Sequence, residues 1–466
     1  MNADVPLCVS CEHALLKTDV YQEAILLLIK SNPLLAFVLP FWRLRGKSAL
    51  LQKVAEKVRI NWRTTPICQP VVERMRAARD ANRDVYLLSS MPETWTCDLV
   101  AELQYPKSIF AHTWETELTR QFGFAGFDYI GNGRGDLATC KSARRVLIVS
   151  SERAMTGESG ENYSIESVIA TDKAGPVTFL KMIRVHQWLK NFLILVPLLA
   201  AHRLTSIGSI GLAAVAFLSF SFCASSVYVL NDLLDLESDR QHIRKRNRPI
   251  AAGNVTVNQA LIMGSLLLAT SAWLAFRVSG LFALTLAIYF VMTLAYSLRL
   301  KRQVIVDVML LAALYTIRVV AGAVATTVIP SFWLLALSMF LFLSLAVVKR
   351  YSEMLVTLAQ EKQYAAGRGY SVADLPVLLS LGVSAGIAAI VVLALYINDS
   401  STSKLYPATI WLWAVPPLML YWVSRVWMKA HRGEMHDDPV VFAMRDWQSL
   451  LTLVLVGLCF GAATIG

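Results

Sequence analysis

From about residue 188 to the end of the chain, apolar residues run in blocks of helical length, separated by short polar segments rich in Lys and Arg. A helix needs roughly 20 mainly apolar residues to cross a hydrocarbon core of about 30 Å. Blocks of that order fall near 189–203, 207–230, 258–276, 280–297, 304–327, 331–348, 375–397, 406–428 and 446–466. They predict an all-α polytopic domain of about nine transmembrane helices, the first resting on the shortest run. The first part of the chain has a different rhythm. Short apolar runs at Pro6–Ser10, Asp84–Ser90 and Arg144–Val149 alternate with stretches of helical character, the alternation expected of a doubly wound, Rossmann-type α/β domain. Residues 25–44 are strongly apolar but broken by Lys30, Pro33 and Pro40. They read as a cap, as a membrane-surface helix, or as a tenth span. The predicted organisation is an α/β domain over 1–175 and a membrane domain over 176–466.

Composition sharpens this division. The 466 residues have a mean hydropathy of +0.51, with 56% apolar and 17% charged residues, against roughly 45–50% and about 25% in soluble domains. A wholly soluble protein is excluded. Of the net charge of +11, nearly all lies in the membrane half: 21 Lys and Arg face 20 Asp and Glu before residue 180, and 23 face 13 from there on. These basic residues sit between apolar blocks, not in a continuous patch, which argues against nucleic acid as a partner. Loops after the second, fourth, sixth and eighth blocks carry the cations, whereas the alternate loops hold only Arg203, Arg277 and Lys404. The positive-inside bias puts the first set, and the N-terminal domain with it, on the cytoplasmic side of a cell inner membrane. The seven cysteines are scattered without metal-ligand spacing and read as reduced thiols. Residues 1–24 are charged throughout with no apolar core, so no cleavable signal peptide is expected.

The second block ends in Asn231-Asp232-Leu-Leu-Asp235-Leu-Glu-Ser-Asp239-Arg240, followed by His242, Arg244-Lys245-Arg246 and Arg248-Pro249. On a helix Asp232, Asp235 and Asp239 stand at i, i+3 and i+7 and share one face. Three crowded carboxylates repel one another unless a cation lies among them, and oxygen ligands beside a phosphate suit Mg²⁺. The basic run just beyond would take the remaining phosphate oxygens. A salt-bridged, solvated helix end is the plainer alternative. A second cytoplasmic loop, Arg299-Leu-Lys301-Arg302, leads into Asp307, Tyr315 and Arg318. Ionisable groups within an apolar span line a polar cavity or pair with one another. The third cluster, Lys349-Arg350-Tyr351-Ser-Glu353, continues to Gly367-Arg368-Gly369-Tyr370 and serves phosphate contact or simple anchoring.

The Asn-Asp-x-x-Asp-x-x-x-Asp run on a basic polytopic domain resembles the UbiA superfamily of intramembrane prenyltransferases. Arg184-x-x-Gln187-Trp188-x-Lys190-Asn191, Asp239-Arg240-x-His242-x-x-Lys245-Arg246-x-Arg248-Pro249-Ile250-Ala251-x-Gly253, Tyr315-x-x-Arg318-x-x-Ala321-Gly322 and Lys349-Arg350-Tyr351-x-Glu353 are similar to the decaprenyl-phosphate phosphoribosyltransferase branch. The resemblance covers about residues 178–466. It implies Mg²⁺ on Asp232, Asp235 and Asp239, which would act catalytically. It implies substrate contacts from Lys190, Asn191, Asn231, Arg240, Lys245, Arg246, Arg248, Lys301, Arg302, Arg318, Lys349 and Arg350. The substrates would be phosphoribosyl diphosphate and a polyprenyl phosphate, an oligomer being compatible with this reading. The second carboxylate motif of aromatic prenyltransferases is absent, with Leu311 where an Asp after Asp307 would stand. An aromatic prenyltransferase is therefore the second reading, and a transporter or membrane scaffold the third.

The N-terminal domain resembles the haloacid dehalogenase-like phosphatases, through its first strand, Ser89, and Gly131-Asn132-Gly133-Arg134-Gly135-Asp136. The family's first motif, Asp-x-Asp-Gly-Thr, stands here as Ser10-Cys11-Glu12-His13-Ala14. Ser10 replaces the nucleophilic Asp, so the resemblance implies a degenerate domain without phosphatase activity, or a scaffold that never had one. Fusions of this type resemble nodulation proteins linked to arabinosylation, for which a lipid-linked pentose is the precursor.

Overall fold

The computed structural model describes residues 5–105, 107–110, 114–133, 136–150, 165–170, 175–202, 206–364, 368–399, 402, 405–435 and 438–465. Arg134, Gly135, Arg203, Gly367 and Lys404, which enter the motifs and loop counts above, lie outside the described residues. The chain forms two compact units, Met1–Ile183 with Tyr228–Gly264, and Arg184–Val227 with Ser265–Gly466. The segment bearing Asp232, Asp235 and Asp239 thus groups with the N-terminal residues. The first compact unit runs past the expected boundary at 175/176 to Ile183 and takes in Tyr228–Gly264.

Among the described residues of the first unit six parallel strands, β1 (Leu7–Ser10), β2 (Val85–Ser89), β3 (Ser108–Phe110), β4 (Asp128–Gly131), β5 (Arg145–Ser150) and β6 (Ile165–Ala170), lie in the order β3-β2-β1-β4-β5-β6. That is the doubly wound order. The strands read as continuous apolar runs because both faces are covered. Leu7, Val9, Val85, Leu87, Ile130, Leu147 and Val149 join one core with residues of helices Val20–Ser31, Lys47–Ala55, Gln69–Asp80 and Glu93–Leu103. Their neighbours Cys8, Leu88, Tyr129 and Val146 join the other with Trp114 and Leu118 of helix Trp114–Phe122. β3 and β4 are three and four residues long, too short to show a period of two in the sequence.

Residues 25–44 are not a tenth span. Asn32 caps a turn that Pro33 opens, so the run divides into helix Val20–Ser31, a 3₁₀ turn at Pro33–Phe37 and helix Leu39–Leu44. Among the described residues seven helices are long and apolar enough to cross a membrane: Ile207–Leu234, Val257–Val278, Gly280–Leu298, Val306–Ala325, Phe332–Ala359, Val372–Ile397 and Trp447–Ile465. The other two of the nine predicted spans do not form single helices of that length. A 3₁₀ segment Val185–Leu195 precedes the short helix Val196–Ala200, and Thr409–Ala414 precedes Val415–His431. In both, proline in the first α-helical turn lacks the N–H that would extend the ladder backward. Gly322 matters to the first: a Cβ there would lie 1.9 Å from the carbonyl oxygen of Ile194, so only glycine lets Val185–Leu195 lie against Val306–Ala325.

Candidate functional site

The helix Ile207–Leu234 breaks at Asp235 and resumes as Leu236–Gln241. Helical spacing survives the break, because Asp235 N–H donates to Asn231 O and Asp239 N–H to Asp235 O, both at 2.8 Å. Asp232 and Asp239 are buried and converge on one cation: Arg248 Nη1 donates to Asp232 Oδ1 at 3.1 Å and to Asp239 Oδ2 at 2.5 Å. Asp235 is half-buried at the break, and Asn231 half-buried beside it. Among the described residues no group of three His, Cys, Asp or Glu is gathered as a metal cage. The expected three-carboxylate face is instead a pair spanned by arginine, with the third carboxylate at the break. Asp239 Oδ1 is buried without a hydrogen-bond donor, and Lys245 Nζ stands 3.9 Å away. A buried carboxylate oxygen lacking a donor is a lone pair open to a hard cation, so these residues fit Mg²⁺.

Not every predicted cation belongs to this cluster. Arg240 is committed elsewhere: its guanidinium grips Glu23 in a bidentate pair at 2.9 and 2.5 Å, and Nε donates to Ala251 O at 3.1 Å. With both side chains under a tenth exposed, Arg240 ties the loop to helix Val20–Ser31. Gly253 serves the same packing: its φ is +75°, and a Cβ there would lie 3.0 Å from Lys17 and 3.1 Å from Pro66. Arg246 and Lys245 are exposed.

The second unit holds its own cationic cluster. Lys190 Nζ and Lys349 Nζ both donate to Asp438 Oδ2, at 2.7 and 3.2 Å, and Tyr315 OH donates to Oδ1 at 3.2 Å. Burial alone would raise the Asp438 carboxyl, yet Lys349 and Lys190 outweigh it and hold it far below the ordinary carboxylate range. Asn191 lies next in chain, its Nδ2 donating to Ser221 Oγ at 2.9 Å and its Oδ1 accepting from Arg318 Nε at 2.9 Å. Arg318 donates further to Leu314 O and to Tyr289 OH. This internal network holds the guanidinium within the helices.

Arg350 also pairs with carboxylates. It is fully buried and pairs with Asp307, Nη2 to Oδ2 at 2.8 Å, and with Glu353 one turn on. Tyr370 OH donates to Asp307 Oδ1 at 2.5 Å. These carboxylates compensate the buried charge of the Arg350 guanidinium. Arg302 is exposed and Lys301 half-buried, its carbonyl accepting from Arg368 Nη1 at 3.3 Å.

Residues 192–463, more than half of the chain, match the UbiA prenyltransferase family. The chain belongs to that family. It is a multi-pass membrane transferase, as the seven long apolar helices accord with. An uncharacterized protein of Sinorhizobium fredii, y4nM, is 31% identical over 98% of this chain and 90% of its own length. Nodulation protein NoeC of Azorhizobium caulinodans is 36% identical over 61% of this chain and 92% of its own. A decaprenyl-phosphate phosphoribosyltransferase of Mycobacterium tuberculosis is 38% identical over 41% of this chain and 64% of its own.

In this UbiA-family protein, sequence reasoning missed Asp438, the anion of the second cluster, and Glu23, the partner of Arg240. Asp438 had one signal, an acidic residue directly before Pro439, where it caps a helix by accepting from Val440 N–H at 3.2 Å. Glu23 had none, being a lone acid in an apolar run. At the carboxyl ends of β1, β2 and β4, Ser10 Oγ accepts from His13 N–H at 3.3 Å, and Glu12 Oε1 accepts from Ser90 N–H at 2.7 Å. His13 Nδ1 lies 2.8 Å from Asp136 Oδ1, and that hydrogen bond raises the imidazole above its ordinary value despite partial burial.

Proposed function

We propose that this protein transfers 5-phosphoribosyl from phosphoribosyl diphosphate to a polyprenyl phosphate in the cell inner membrane, with the N-terminal domain cytoplasmic. The fate of Asp307 carries this reading. A prenyl-diphosphate enzyme of the family would need a second metal-binding carboxylate motif, and here Asp307 is neutralised by Arg350 and Tyr370, while Leu311 packs among apolar side chains. The motifs shared with the phosphoribosyl branch and the 38% identity to a protein of that name support the same choice.

An anionic lipid phosphate is already a nucleophile, so attack on the anomeric carbon needs no strong base. The protein's work is positioning and charge stabilisation of the departing diphosphate. Asp232, Asp235 and Asp239 would hold Mg²⁺, which when bound supplies Lewis-acid neutralisation of that diphosphate. Arg248 and Lys245, already drawn to the carboxylates, would turn to the phosphate oxygens. Lys190 and Lys349 would take a further phosphate. Ser10 cannot form the aspartyl-phosphate of a haloacid dehalogenase-like phosphatase, so the N-terminal domain leaves the 5-phosphate in place. The product is a lipid-linked pentose precursor suited to arabinosylation, in keeping with a relative named as a nodulation protein.

The test incubates the full chain with labelled phosphoribosyl diphosphate, polyprenyl phosphate and Mg²⁺, and follows label into the lipid phase. Transfer that EDTA abolishes, with the 5-phosphate retained, is the expected result. No transfer by protein that consumes prenyl diphosphate with an aromatic acceptor overturns the proposal.

A further inference from the structure

The most exposed apolar surface of the N-terminal unit lies in Pro33–Leu44. Leu35, Leu39 and Trp42 pack against the core of the α/β domain. Leu34, Phe37, Phe41 and Leu44 point outward and are 71%, 76%, 67% and 83% exposed. Four large apolar side chains so placed on a short segment are costly in water. Their surroundings are of one sign: between residues 24 and 55 the chain carries Lys30, Arg43, Arg45, Lys47 and Lys53 and no acidic residue.

The helix that leads into this segment is fastened to the ends of two membrane helices. Gln22 Oε1 accepts from Asn258 N–H, in the first turn of Val257–Val278, at 2.9 Å. Glu23 grips Arg240 just beyond the end of Ile207–Leu234, and Leu26 packs on the cluster formed by Leu233, Leu236, Ile250 and Val257. Helix Val20–Ser31 is therefore bonded just beyond the end of one candidate span and to the first turn of the next. The exposed segment follows its last turn directly.

We infer that Pro33–Leu44 is an in-plane membrane anchor: Leu34, Phe37, Phe41 and Leu44 enter the leaflet beside the N-terminal unit, and Arg43, Arg45 and Lys47 meet anionic headgroups. An apolar face rimmed by Lys and Arg is the composition such interfacial segments need, and each basic residue near an anionic surface adds to binding. The anchor holds the α/β domain against the bilayer independently of the transfer reaction.

The test places a nitroxide on the full-length protein in vesicles of phosphatidylcholine and phosphatidylglycerol. One label is carried by Phe37→Cys in a Cys97→Ser background, and another by the exposed native Cys97. Oxygen collisions should dominate at residue 37 and water-soluble nickel-chelate collisions at Cys97. Replacing Arg43, Arg45 and Lys47 with Gln should make residue 37 shallower. Nickel-dominated collisions at residue 37 overturn the inference, and so does dipolar broadening between labels, which would give the face to a second copy of the chain. Because the readout is immersion depth, it is independent of whether phosphoribosyl is the group transferred.

Discussion

Asp438→Asn separates the electrostatic part of the second cluster from its shape. The ammonium groups of Lys190 and Lys349 contact the same carboxylate oxygen at 2.7 and 3.2 Å, so they stand within about 6 Å of each other. With the carboxylate neutralised, their repulsion at an effective dielectric of about 20 is about 3 kcal/mol, equivalent to a factor of about a hundred in an equilibrium constant. The variant should melt at lower temperature than the parent. It should bind inorganic pyrophosphate more tightly, by up to about a hundredfold, because the anion then relieves a repulsion that Asp438 relieves in the parent. Thermal unfolding and calorimetric titration of the detergent-solubilised chain, both without Mg²⁺, read the two effects. The pH dependence has a definite sign. The folded carboxyl lies below its ordinary value of 3.8, so its contribution is fully present above that value and is lost only as pH falls through the folded one. Asn at 438 lacks it at every pH. An unchanged melting temperature together with unchanged pyrophosphate affinity would refute the reasoning, since the carboxylate would then not be the counter-ion of the two lysines.

Asp232→Asn, Asp235→Asn and Asp239→Asn should each abolish Mg²⁺-dependent transfer while leaving the protein folded; retained transfer in all three would remove the metal role. Ser10→Ala should leave transfer unchanged, and its loss in folded protein would contradict a degenerate N-terminal domain. Glu23→Ala strands a buried guanidinium and should cost about 3–5 kcal/mol, whereas Glu23→Leu with Arg240→Met should recover most of it; a harmless single change, measured by urea unfolding, would show the pair to be dispensable. The imidazole of His13 is raised by Asp136, so its stabilisation is fully present below its unfolded value near 6.5 and fades as pH rises through the folded one. The melting-temperature gap between parent and His13→Gln should accordingly be widest at mildly acid pH and close on the alkaline side, and a gap constant with pH would disprove the pairing.

The amino-acid pattern alone carried the two-part organisation, the membrane character, the α/β alternation and the Asp-rich helix end. Those rest on periodicity and composition, which are local properties of the chain. Burial on both faces makes β2 and β5 legible as apolar runs, and roughly 20 apolar residues in a row mark a span wherever they occur. The fates of the charged residues were decided by tertiary structure. Arg240, Arg248, Arg318 and Arg350 are the same residue type in similar basic or apolar contexts, yet only Arg248 meets the aspartate pair. Glu23, 217 positions before Arg240, and Asp438, 248 positions after Lys190, choose their partners through folding that no local pattern encodes. An ion pair needs two groups within a few ångströms, and separation along the chain says nothing of that distance.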